Sequence, residues 1–478
     1  MATIPRVIIL GGGLAGLAAA LRLAEAHFEV EVIDKRPVLG GRASSFFPPG
    51  DTERIDNCQH VLLGCCTNLL DFFRRTGSLS QFRFYNSFVF IGPRGVSRMS
   101  ASALPAPLHL FPSLLRFREL NWQDRWSIVR AMRAILRPGN APPDVTMLDW
   151  LKRQRQTTAA IENFWRVVLT SALNEDLERL SSRHAFKVFA DGFLRNRSGY
   201  RMGVPAIPLS DLYSSKILEE KCSLRLATHV AELEFAGGHV NGVRLHNGEQ
   251  RTADFYISTL PPDSLANLLP DRSATSWPEL QKLAKLEWSP ITGIHLWFDS
   301  PITRLEHAAI IGRTIQWVFN RSAIGGRSEP RPEGSGPVER KGQEPIGPHY
   351  IQLVISASRG LMNMRREELL ELALRELCEI FPKTKKANLL NAVIVKEAKS
   401  TLSPAPGLDA IRLGPATPYQ NLFLAGDWIA TGWPFTMEGA VRSGYRAAEL
   451  VTDAAGRPQQ FLQPDLPTAP LVRLLERW

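Results

Sequence analysis

The chain has few of the features that mark secreted, metal-binding or membrane-spanning proteins. Its five cysteines among 478 residues are an odd number, and their spacings match no paired metal-ligand motif. These counts favour free thiols in a reducing compartment over a disulfide framework, and no metal site is predicted. No apolar run approaches the roughly 18 residues that a membrane-spanning helix needs. Internal repeats are also absent from the sequence.

Acidic residues are fewer than basic ones: the chain has 57 Lys and Arg and 47 Asp and Glu, which gives a formal net charge of +10. No nucleic-acid-binding module accompanies this charge, so a nucleic-acid partner is not predicted. Two interpretations stay open: attraction to anionic lipid headgroups, and a solvated basic surface that binds neither. The start, Met1–Arg6, runs into an apolar strand without a secretory signal pattern. We therefore expect a cytoplasmic protein, either soluble or peripheral on the inner face of the cytoplasmic membrane.

Glycines do occur at an informative spacing near the start of the chain. Three of them follow the apolar run Val7–Leu10 with the spacing of the dinucleotide fingerprint: Gly11, Gly13 and Gly16. The first glycine permits a tight turn, the second lets the backbone approach a pyrophosphate, and the third lets a helix pack close to the sheet. The alanine-rich stretch Leu17–Ala24 predicts that helix. Its N-terminal N–H groups would face the phosphates, and Leu14 and Ala15 are assigned to the same site.

A second predicted strand, Val30–Ile33, ends at Asp34, roughly 20 residues after the glycines. In dinucleotide-binding folds a carboxylate at this distance accepts hydrogen bonds from a ribose, and Lys35 beside it is included in the predicted site. Farther on, Gly41 supplies backbone that a ligand can approach, and Arg42 supplies a planar cation for phosphate oxygens. Together these features predict a βαβ unit that binds a dinucleotide.

A second glycine motif lies near the other end of the chain. The apolar run Leu422–Leu424 leads into Gly426 and Asp427, and the segment Gly432–Val441 follows. We predict that the two ends of the chain form two halves of one dinucleotide site. The second half would close over the far end of the ligand.

These motifs resemble those of the amine oxidases, protoporphyrinogen oxidases and phytoene desaturases, which bind FAD through a glycine fingerprint, a Gly-Gly-Arg segment and a C-terminal Gly-Asp motif. Within that superfamily, five segments are similar to the squalene-associated branch, the hydroxysqualene dehydroxylases: 55–64, 103–110, 114–117, 172–174 and 204–212. One departure is Cys58, which stands where the branch carries glycine. Either the backbone there is ordinary, or the local geometry differs.

The resemblance implies an α/β fold in which a Rossmann-like FAD-binding domain, of the amine oxidase and GDP-dissociation-inhibitor type, is interleaved with an α+β substrate-binding domain. It implies FAD as the cofactor and a hydrophobic isoprenoid as the substrate. The implied reaction is reductive removal of the hydroxyl of hydroxysqualene to give squalene, for hopanoid biosynthesis. No motif indicates the external electron donor.

The resemblance also implies roles for individual residues. Asp427 would bond the ribityl or pyrophosphate region, and the helix from Met437 would point its N-terminus at the O2 end of the flavin. Val230 would reach the adenine side through its backbone. Gln59 and His60 would line the flavin.

Reductive dehydroxylation needs a proton donor, because hydroxide is a poor leaving group. The candidates are His60, which titrates near neutrality, and Asp56, with Glu175 as a weaker third. For His60 the alternative is a hydrogen bond to the backbone or the cofactor alone. For Asp56 the alternative is that the carboxylate fixes a turn.

Two other functions fit the same motifs. A carotenoid-type desaturase would use the same fold and remove hydride from a similar lipid. A prenyl-lipid-binding chaperone related to the GDP-dissociation inhibitors would keep the architecture without flavin chemistry.

The chain length predicts two interleaved domains. The FAD-binding domain is expected at 1–84, 201–265 and 396–455, and the substrate-binding domain at 85–200 and 266–395. We also expect a mobile loop at 325–347 and a loosely attached C-terminal extension at 456–478. Helices are predicted at 122–136 and 147–170, and strands at 223–226, 230–235, 240–245, 253–259, 288–298, 316–319 and 350–356.

The segment Leu104–Phe117 holds three prolines among leucines and phenylalanines. One interpretation is that it dips into a membrane interface and opens a path for a lipid. The other is that it is a buried connection between helices.

Overall fold

The computed structural model describes residues 4–48, 53–137, 144–213, 216–269, 277–284, 286–325 and 348–476. The predicted mobile loop at 325–347 lies outside the described residues, apart from Gly325 at the end of a helix.

The strands are, in chain order, β1 (Arg6–Leu10), β2 (Glu29–Ile33), β3 (Ser45–Phe46), β4 (Ile55–Asp56), β5 (Leu62–Leu63), β6 (Phe82–Tyr85), β7 (Ser87–Gly92), β8 (Gly95–Ser100), β9 (Met202–Pro205), β10 (Ser223–Arg225), β11 (Val230–Ala236), β12 (His239–Leu245), β13 (Gln250–Arg251), β14 (Phe255–Ser258), β15 (Trp288–Phe298), β16 (His307–Ile310), β17 (Trp317–Asn320), β18 (His349–Ser356), β19 (Leu389–Leu402) and β20 (Leu422–Leu424).

The α-helices are α1 (Leu14–Glu25), α2 (Thr67–Arg75), α3 (Phe111–Leu115), α4 (Trp122–Leu136), α5 (Met147–Arg153), α6 (Thr158–Ala160), α7 (Arg166–Leu173), α8 (Ser182–Phe189), α9 (Leu209–Tyr213), α10 (Lys216–Lys221), α11 (Pro262–Ala266), α12 (Pro278–Ala284), α13 (Arg321–Gly325), α14 (Arg366–Ile380), α15 (Met437–Ala454) and α16 (Pro470–Leu475). Two π-helical segments adjoin α7 and α8, at Ile161–Trp165 and Ala190–Leu194.

A five-stranded parallel sheet organises the first domain. Its strand order is β10-β2-β1-β14-β20, and every adjacent pair is parallel. Because parallel strands end at the same edge, the residues that follow them meet there. Gly11, Asp34, Thr259 and Gly426 come within two residues of the ends of β1, β2, β14 and β20. The predicted α/β fold is confirmed, and the two ends of the chain share one sheet.

The two terminal helices also pack directly on each other. An added Cβ at Gly444 of α15 would lie 2.2 Å from the carbonyl oxygen of Ala15 and 3.1 Å from the Cβ of Ala18, both in α1. Only a hydrogen at this position therefore allows the observed separation of the helices.

Replacing Gly444 by alanine is expected to destabilise the protein by about 1–3 kcal/mol, because the new methyl group meets backbone that has no room to move. Thermal unfolding measures the effect. Gly360→Ala is the matched control, since an added Cβ there meets nothing within 4 Å. Equal melting temperatures for the two variants would contradict this close packing.

A seven-stranded mixed sheet, ordered β19-β15-β18-β17-β16-β7-β8, organises the second domain. Side chains alternate between its two faces, as strand geometry requires. In β7, Phe88 and Phe90 join the core formed with α4 to α8, whereas Val89 joins the core formed with α14. The last strand, β19, runs to Leu402, so this sheet extends seven residues beyond the predicted boundary at 395.

The single predicted helix at 147–170 is wrong. The chain forms α5, breaks at Arg155 with a φ of 52°, and resumes with α6, a π-helical segment and α7. The side chain of Gln156 holds the break open: its amide nitrogen donates to the carbonyl of Ser127 at 2.6 Å, and its oxygen accepts from Trp165 Nε1 at 2.9 Å. Thr157 then caps the next helix. Apolar periodicity continues across such a break, which is why the sequence suggested one helix.

The prediction of a loosely attached C-terminal extension is also wrong for the residues that the structure describes up to 476. Phe461 is 2% exposed and lies under the guanidinium of Arg22, 4.5 Å from ring centroid to Cζ. One carboxylate oxygen of Glu449 accepts from the backbone N–H of Phe461 at 2.8 Å. Val472 is fully buried. Phe461 and Val472 therefore attach this segment to the rest of the protein. Its prolines had suggested a loosely attached extension.

None of the helices in the described part of the chain is long and apolar enough to span a membrane.

Candidate active site

One cavity of about 1130 Å³ lies between the two sheets. It exceeds the roughly 300–1,000 Å³ of a typical small-molecule site. Residues from both termini and from the middle of the chain line it, and it divides into a polar end and an apolar end.

The polar end begins where two glycine segments touch. The backbone N–H of Gly40 donates to the carbonyl of Gly12 at 2.8 Å, and an added Cβ at Gly41 would lie 3.2 Å from the Cα of Gly13. Gly13 itself has an ordinary extended conformation, with φ −77° and ψ 175°, and the nearest atoms to an added Cβ are 3.9 Å away. The glycine therefore keeps space open at the start of α1, where unpaired N–H groups attract anions.

Asp34 anchors this end through its carboxylate. Oδ2 accepts from the N–H of Gly12 at 2.6 Å, and Oδ1 accepts from the N–H of Arg36 at 2.7 Å. The carbonyl of Asp34 accepts from Thr228 at 2.9 Å, which brings β11 and its first residue, Val230, to the same place. Polar groups from three separate segments therefore converge here.

The C-terminal motif closes the other side. Gly426 has a φ of +134°, and an added Cβ would lie 2.5 Å from the indole nitrogen of Trp428, so only glycine fits. The next residue, Asp427, pairs with Arg42 across the cavity wall. This ion pair joins the first and last parts of the chain at the site.

The structure brings together most of the residues that the sequence assigned to the site. Fourteen of them line the cavity: Gly11, Gly13, Leu14, Ala15, Asp34, Lys35, Gly41, Arg42, Gln59, His60, Val230, Gly426, Asp427 and Met437. Gly16 and Asp56 do not. An added Cβ at Gly16 would lie 2.0 Å from the carbonyl oxygen of Gly11, so this glycine serves helix–strand packing.

Asp56 is 3% exposed and lies behind the cavity wall. Its Oδ1 accepts from Ser45 Oγ at 2.7 Å and from the N–H of Leu209 at 2.8 Å. Burial raises the pKa of this carboxyl, while the charge of Arg321 opposes the rise. These contacts fix the local turn, and the charge of Asp56 acts on His60 only as a secondary effect that raises the pKa of that ring.

Cys58 is not among the described residues with positive φ, so its backbone is ordinary and accepts a side chain without strain. The thiol is buried in the core that β7 forms with α4 to α8, and it lines the cavity. Burial raises the pKa of Cys58 to about 12, which keeps it a neutral thiol. Cys58, which replaces the glycine of the branch, therefore contributes an apolar side chain to the cavity wall and not a reactive thiolate.

His60 has one ring nitrogen committed to the backbone. Nδ1 lies 2.9 Å from the carbonyl oxygen of Cys58, so in the neutral ring Nδ1 carries the proton and Nε2 is free to face the cavity. Burial lowers the pKa of His60 below its ordinary range, against a smaller opposing effect of its bond to Cys58.

Glu175 is engaged elsewhere. It is fully buried, pairs with the guanidinium of Arg359 through two contacts of 2.5 and 2.7 Å, and accepts a hydrogen bond from Ser403. It is not one of the cavity-lining residues. Its carboxylate therefore joins three segments and is no candidate proton donor.

Arg321 positions Gln59, and the sequence does not predict this role. Its Nη1 donates to the side-chain oxygen of Gln59 at 3.2 Å and to the carbonyl of Pro205 at 2.7 Å. The amide nitrogen of Gln59 donates to the carbonyl of His60 at 2.9 Å. A short apolar strand followed by arginine gives no sequence signal of such a contact.

The apolar end of the cavity is built by the second domain. Aromatic and aliphatic side chains from eight different elements form its wall: Phe88, Phe90, Met99, Phe111, Leu114, Phe164, Phe189, Phe193, Leu194, Trp317, Phe319 and Val354. The segment 57–66 links the two ends. Asn57 donates to the carbonyl of Arg42 at 2.7 Å, and Leu63 lies 3.5 Å from the position of an added Cβ at Gly192. His60 belongs to this segment and lies between the polar end and the apolar end of the cavity.

A family model of flavin-containing amine oxidoreductases matches residues 14–452. The zeta-carotene desaturase of Synechocystis sp. is 25% identical, over 95% of this chain and 98% of that protein. The hydroxysqualene dehydroxylase of Sinorhizobium fredii is 26% identical, over 93% of this chain and 97% of that protein.

Among solved structures, the fold is similar to that of an oxidoreductase from Methanosarcina mazei, with a TM-score of 0.71 and 20% identity over 93% of this chain and all of that one. The family match extends over nearly the whole chain, from within the N-terminal glycine motif to beyond the C-terminal motif at Gly426 and Asp427. The chain therefore belongs to the flavin-containing amine oxidoreductase family, and its cofactor is FAD.

Proposed function

We propose that the protein is an FAD-dependent oxidoreductase that reductively removes the hydroxyl of hydroxysqualene, an isoprenoid, to give squalene. The observation that carries the proposal is the continuity of one cavity. Its polar end suits a dinucleotide, its apolar end suits a hydrocarbon chain, and His60 lies on the segment that links them.

The polar end would hold FAD through residues of both termini. The N–H groups at Gly13, Leu14 and Ala15 and the cation of Arg42 suit the pyrophosphate. Asp34 and Lys35 suit the adenosine ribose, and Val230 the adenine. Asp427 and the start of α15 at Met437 suit the flavin half. An open glycine cradle and an N-terminal helix end fit this cofactor, which supplies hydride chemistry at its N5 atom.

The apolar wall would exclude water from the reacting carbon. Loss of an allylic hydroxyl develops positive charge on that carbon, and a dry cavity prevents its capture by solvent. In the overall reaction the C–O bond breaks, a C–H bond forms with hydride from the reduced cofactor, and the oxygen leaves as water with one added proton.

We assign that proton to His60 Nε2. The bond from Nδ1–H to Cys58 fixes the ring, so that Nε2 presents its proton to the cavity when the imidazole is charged. Since burial lowers its pKa, the charged ring is a stronger acid than free histidine. Desaturation leaves no oxygen group to protonate, so a fixed histidine here favours dehydroxylation.

This assignment predicts a pH profile. The active form is protonated and the pKa lies below the ordinary value of about 6.5. Turnover should therefore be greatest at low pH and fall as the pH rises through that lowered pKa. The single-turnover rate measured across pH checks this, and a rate that instead rises with pH over the same window would assign the ring as a base.

The second candidate is a carotenoid-type desaturase, favoured by the similarity to zeta-carotene desaturase over nearly the whole chain. One experiment separates the two. Purified enzyme reduced with dithionite under anaerobic conditions receives hydroxysqualene, and oxidised enzyme receives phytoene or zeta-carotene. Squalene in the first reaction supports the proposal, whereas new conjugated double bonds in the second, without squalene in the first, would replace it. Colourless protein that releases no flavin would favour a lipid-binding chaperone.

A further inference from the structure

Helix α4 presents three different faces. Ile128, Ala131 and Ile135 are buried in the core of the second domain. Val129, Met132 and Leu136 line the cavity. The remaining face is exposed, and it borders the cavity-lining face.

Four residues of α4 and its C-cap residue share this exposed stripe: Trp122, Trp126, Arg130, Arg133 and, at the C-cap, Arg137. At about 100° of rotation per residue, they fall within about 80° of one another around the helix axis. The two indoles are 58% and 51% exposed and contact each other edge to face, with centroids 5.7 Å apart. Contiguous exposed apolar side chains mark interaction sites, whereas singly scattered ones are ordinary, and these two indoles are in contact.

Positive charge is concentrated in the part of the sequence that contains α4 and the residues before it. Residues 94–137 contain eight arginines and two acids, which leaves +6 of the chain's net charge of +10. Within the described part of the chain, none of these arginines has a carboxylate partner within 4.0 Å: Arg94, Arg98, Arg116, Arg118, Arg125, Arg130, Arg133 and Arg137.

The two acids of this region do not offset that charge at the surface. Glu119 is 5% exposed and accepts the N–H of Arg94, and Asp124 is 2% exposed and completes the cap of α4 with Asn121. Both carboxylates are therefore committed to backbone N–H groups inside the protein.

The stripe lies beside an entrance to the cavity. Arg133 and Arg137 are exposed and also line the cavity, as does Leu108, which is 43% exposed. Leu104 nearby is 41% exposed. In contrast, Leu114 and Phe117 are buried in the core, so the segment Leu104–Phe117 is a buried connection at its end and exposes leucines only at its start.

We propose that the exposed stripe of α4, with Leu104 and Leu108, docks on an anionic phospholipid bilayer. Indole rings prefer the headgroup level of a membrane, and arginines beside them attract anionic lipid. The helix would lie in the plane of the interface. This orientation places the cavity entrance against the bilayer, where a hydrocarbon can enter without crossing water; only this last consequence rests on the proposed function.

Vesicle co-sedimentation of the full-length holoenzyme tests the surface, with phosphatidylcholine vesicles that contain or lack phosphatidylglycerol. Wild type should bind the anionic vesicles much more strongly, and high salt should weaken that binding. The variant Arg130→Glu/Arg133→Glu/Arg137→Glu should partition at least about tenfold less. Its matched control is Lys383→Glu/Lys385→Glu/Lys386→Glu, which makes the same charge change at an exposed site elsewhere and should bind like wild type.

A second pair of variants tests the apolar part. Trp122→Ala/Trp126→Ala should bind anionic vesicles several-fold less than Ile4→Ala/Leu390→Ala, which removes side chains that are 63% and 58% exposed elsewhere. Flavin absorbance and thermal unfolding confirm that each variant is folded. Absence of wild-type binding to anionic vesicles, or equal losses in the arginine and lysine variants, would overturn the proposal. Neither result bears on whether the detergent-solubilised enzyme makes squalene.

Discussion

Replacing Gly13 by valine is expected to yield a folded protein that purifies without FAD. The backbone at Gly13 is extended, and an added Cβ meets no atom closer than 3.9 Å, so the substitution costs the fold little. The added side chain would stand in the open space at the start of α1, where we place the pyrophosphate. Gly11 is a poorer test, because its φ of +110° and the Oγ1 of Thr259 at 2.5 Å from an added Cβ would disturb the fold itself.

Flavin released on denaturation, counted per protein chain, measures this outcome, and circular dichroism confirms the fold. Gly360→Val is the control, since the space around an added Cβ is open there as well and the position lies outside the cavity. One FAD per chain in the Gly13 variant would mean that the glycine motif does not hold the cofactor.

Replacing His60 by glutamine is expected to lower the rate of squalene formation by at least about 100-fold while FAD is retained. Glutamine fills a similar volume and keeps a polar group near the carbonyl of Cys58, but it cannot supply a proton. The falling limb of the pH profile should disappear in the same variant.

His239→Gln is the matched control for this effect. Its Nδ1 also lies near a carbonyl two residues earlier, that of Gly237 at 3.2 Å, but it is not among the residues that line the cavity. A His60 variant that turns over as fast as the His239 variant would leave His60 with a hydrogen-bonding role only.

The cofactor half of the molecule could be predicted from the sequence because its signals are local. Several glycines at the polar end meet backbone requirements that disfavour other residues, such as the positive φ of Gly426 and the close contact between Gly41 and Gly13. The topological rule that parallel strands end at one edge then joins the two termini. The structure adds the pair between Arg42 and Asp427, which the sequence named separately.

The apolar half could not be predicted in the same way. Its wall draws single side chains from many elements, including Phe193 in a π-helical segment, and no spacing rule relates them. Apolar periodicity cannot distinguish a residue that faces a core from one that faces a cavity, as the two faces of α4 demonstrate. Side-chain contacts such as that of Gln156 can end a helix at a position where the sequence has no glycine or proline to indicate the break.

The surface that we propose for membrane docking illustrates the same limit of sequence patterns. The prolines and leucines of the segment Leu104–Phe117 suggested a membrane-interface role, yet Leu114 and Phe117 at its end are buried in the core. The exposed indoles of Trp122 and Trp126 lie in a helix whose apolar periodicity looked ordinary, and only the position of the core shows which face of that helix is free.

The most direct test of the central claim is a single-turnover measurement with dithionite-reduced enzyme under anaerobic conditions. Mixing with hydroxysqualene should return the flavin absorbance to its oxidised form and yield one squalene per flavin, and mixing with squalene should leave the flavin reduced. A flavin that stays reduced with hydroxysqualene, or that reoxidises equally with squalene, would contradict the account of a cofactor held beside the substrate's allylic carbon.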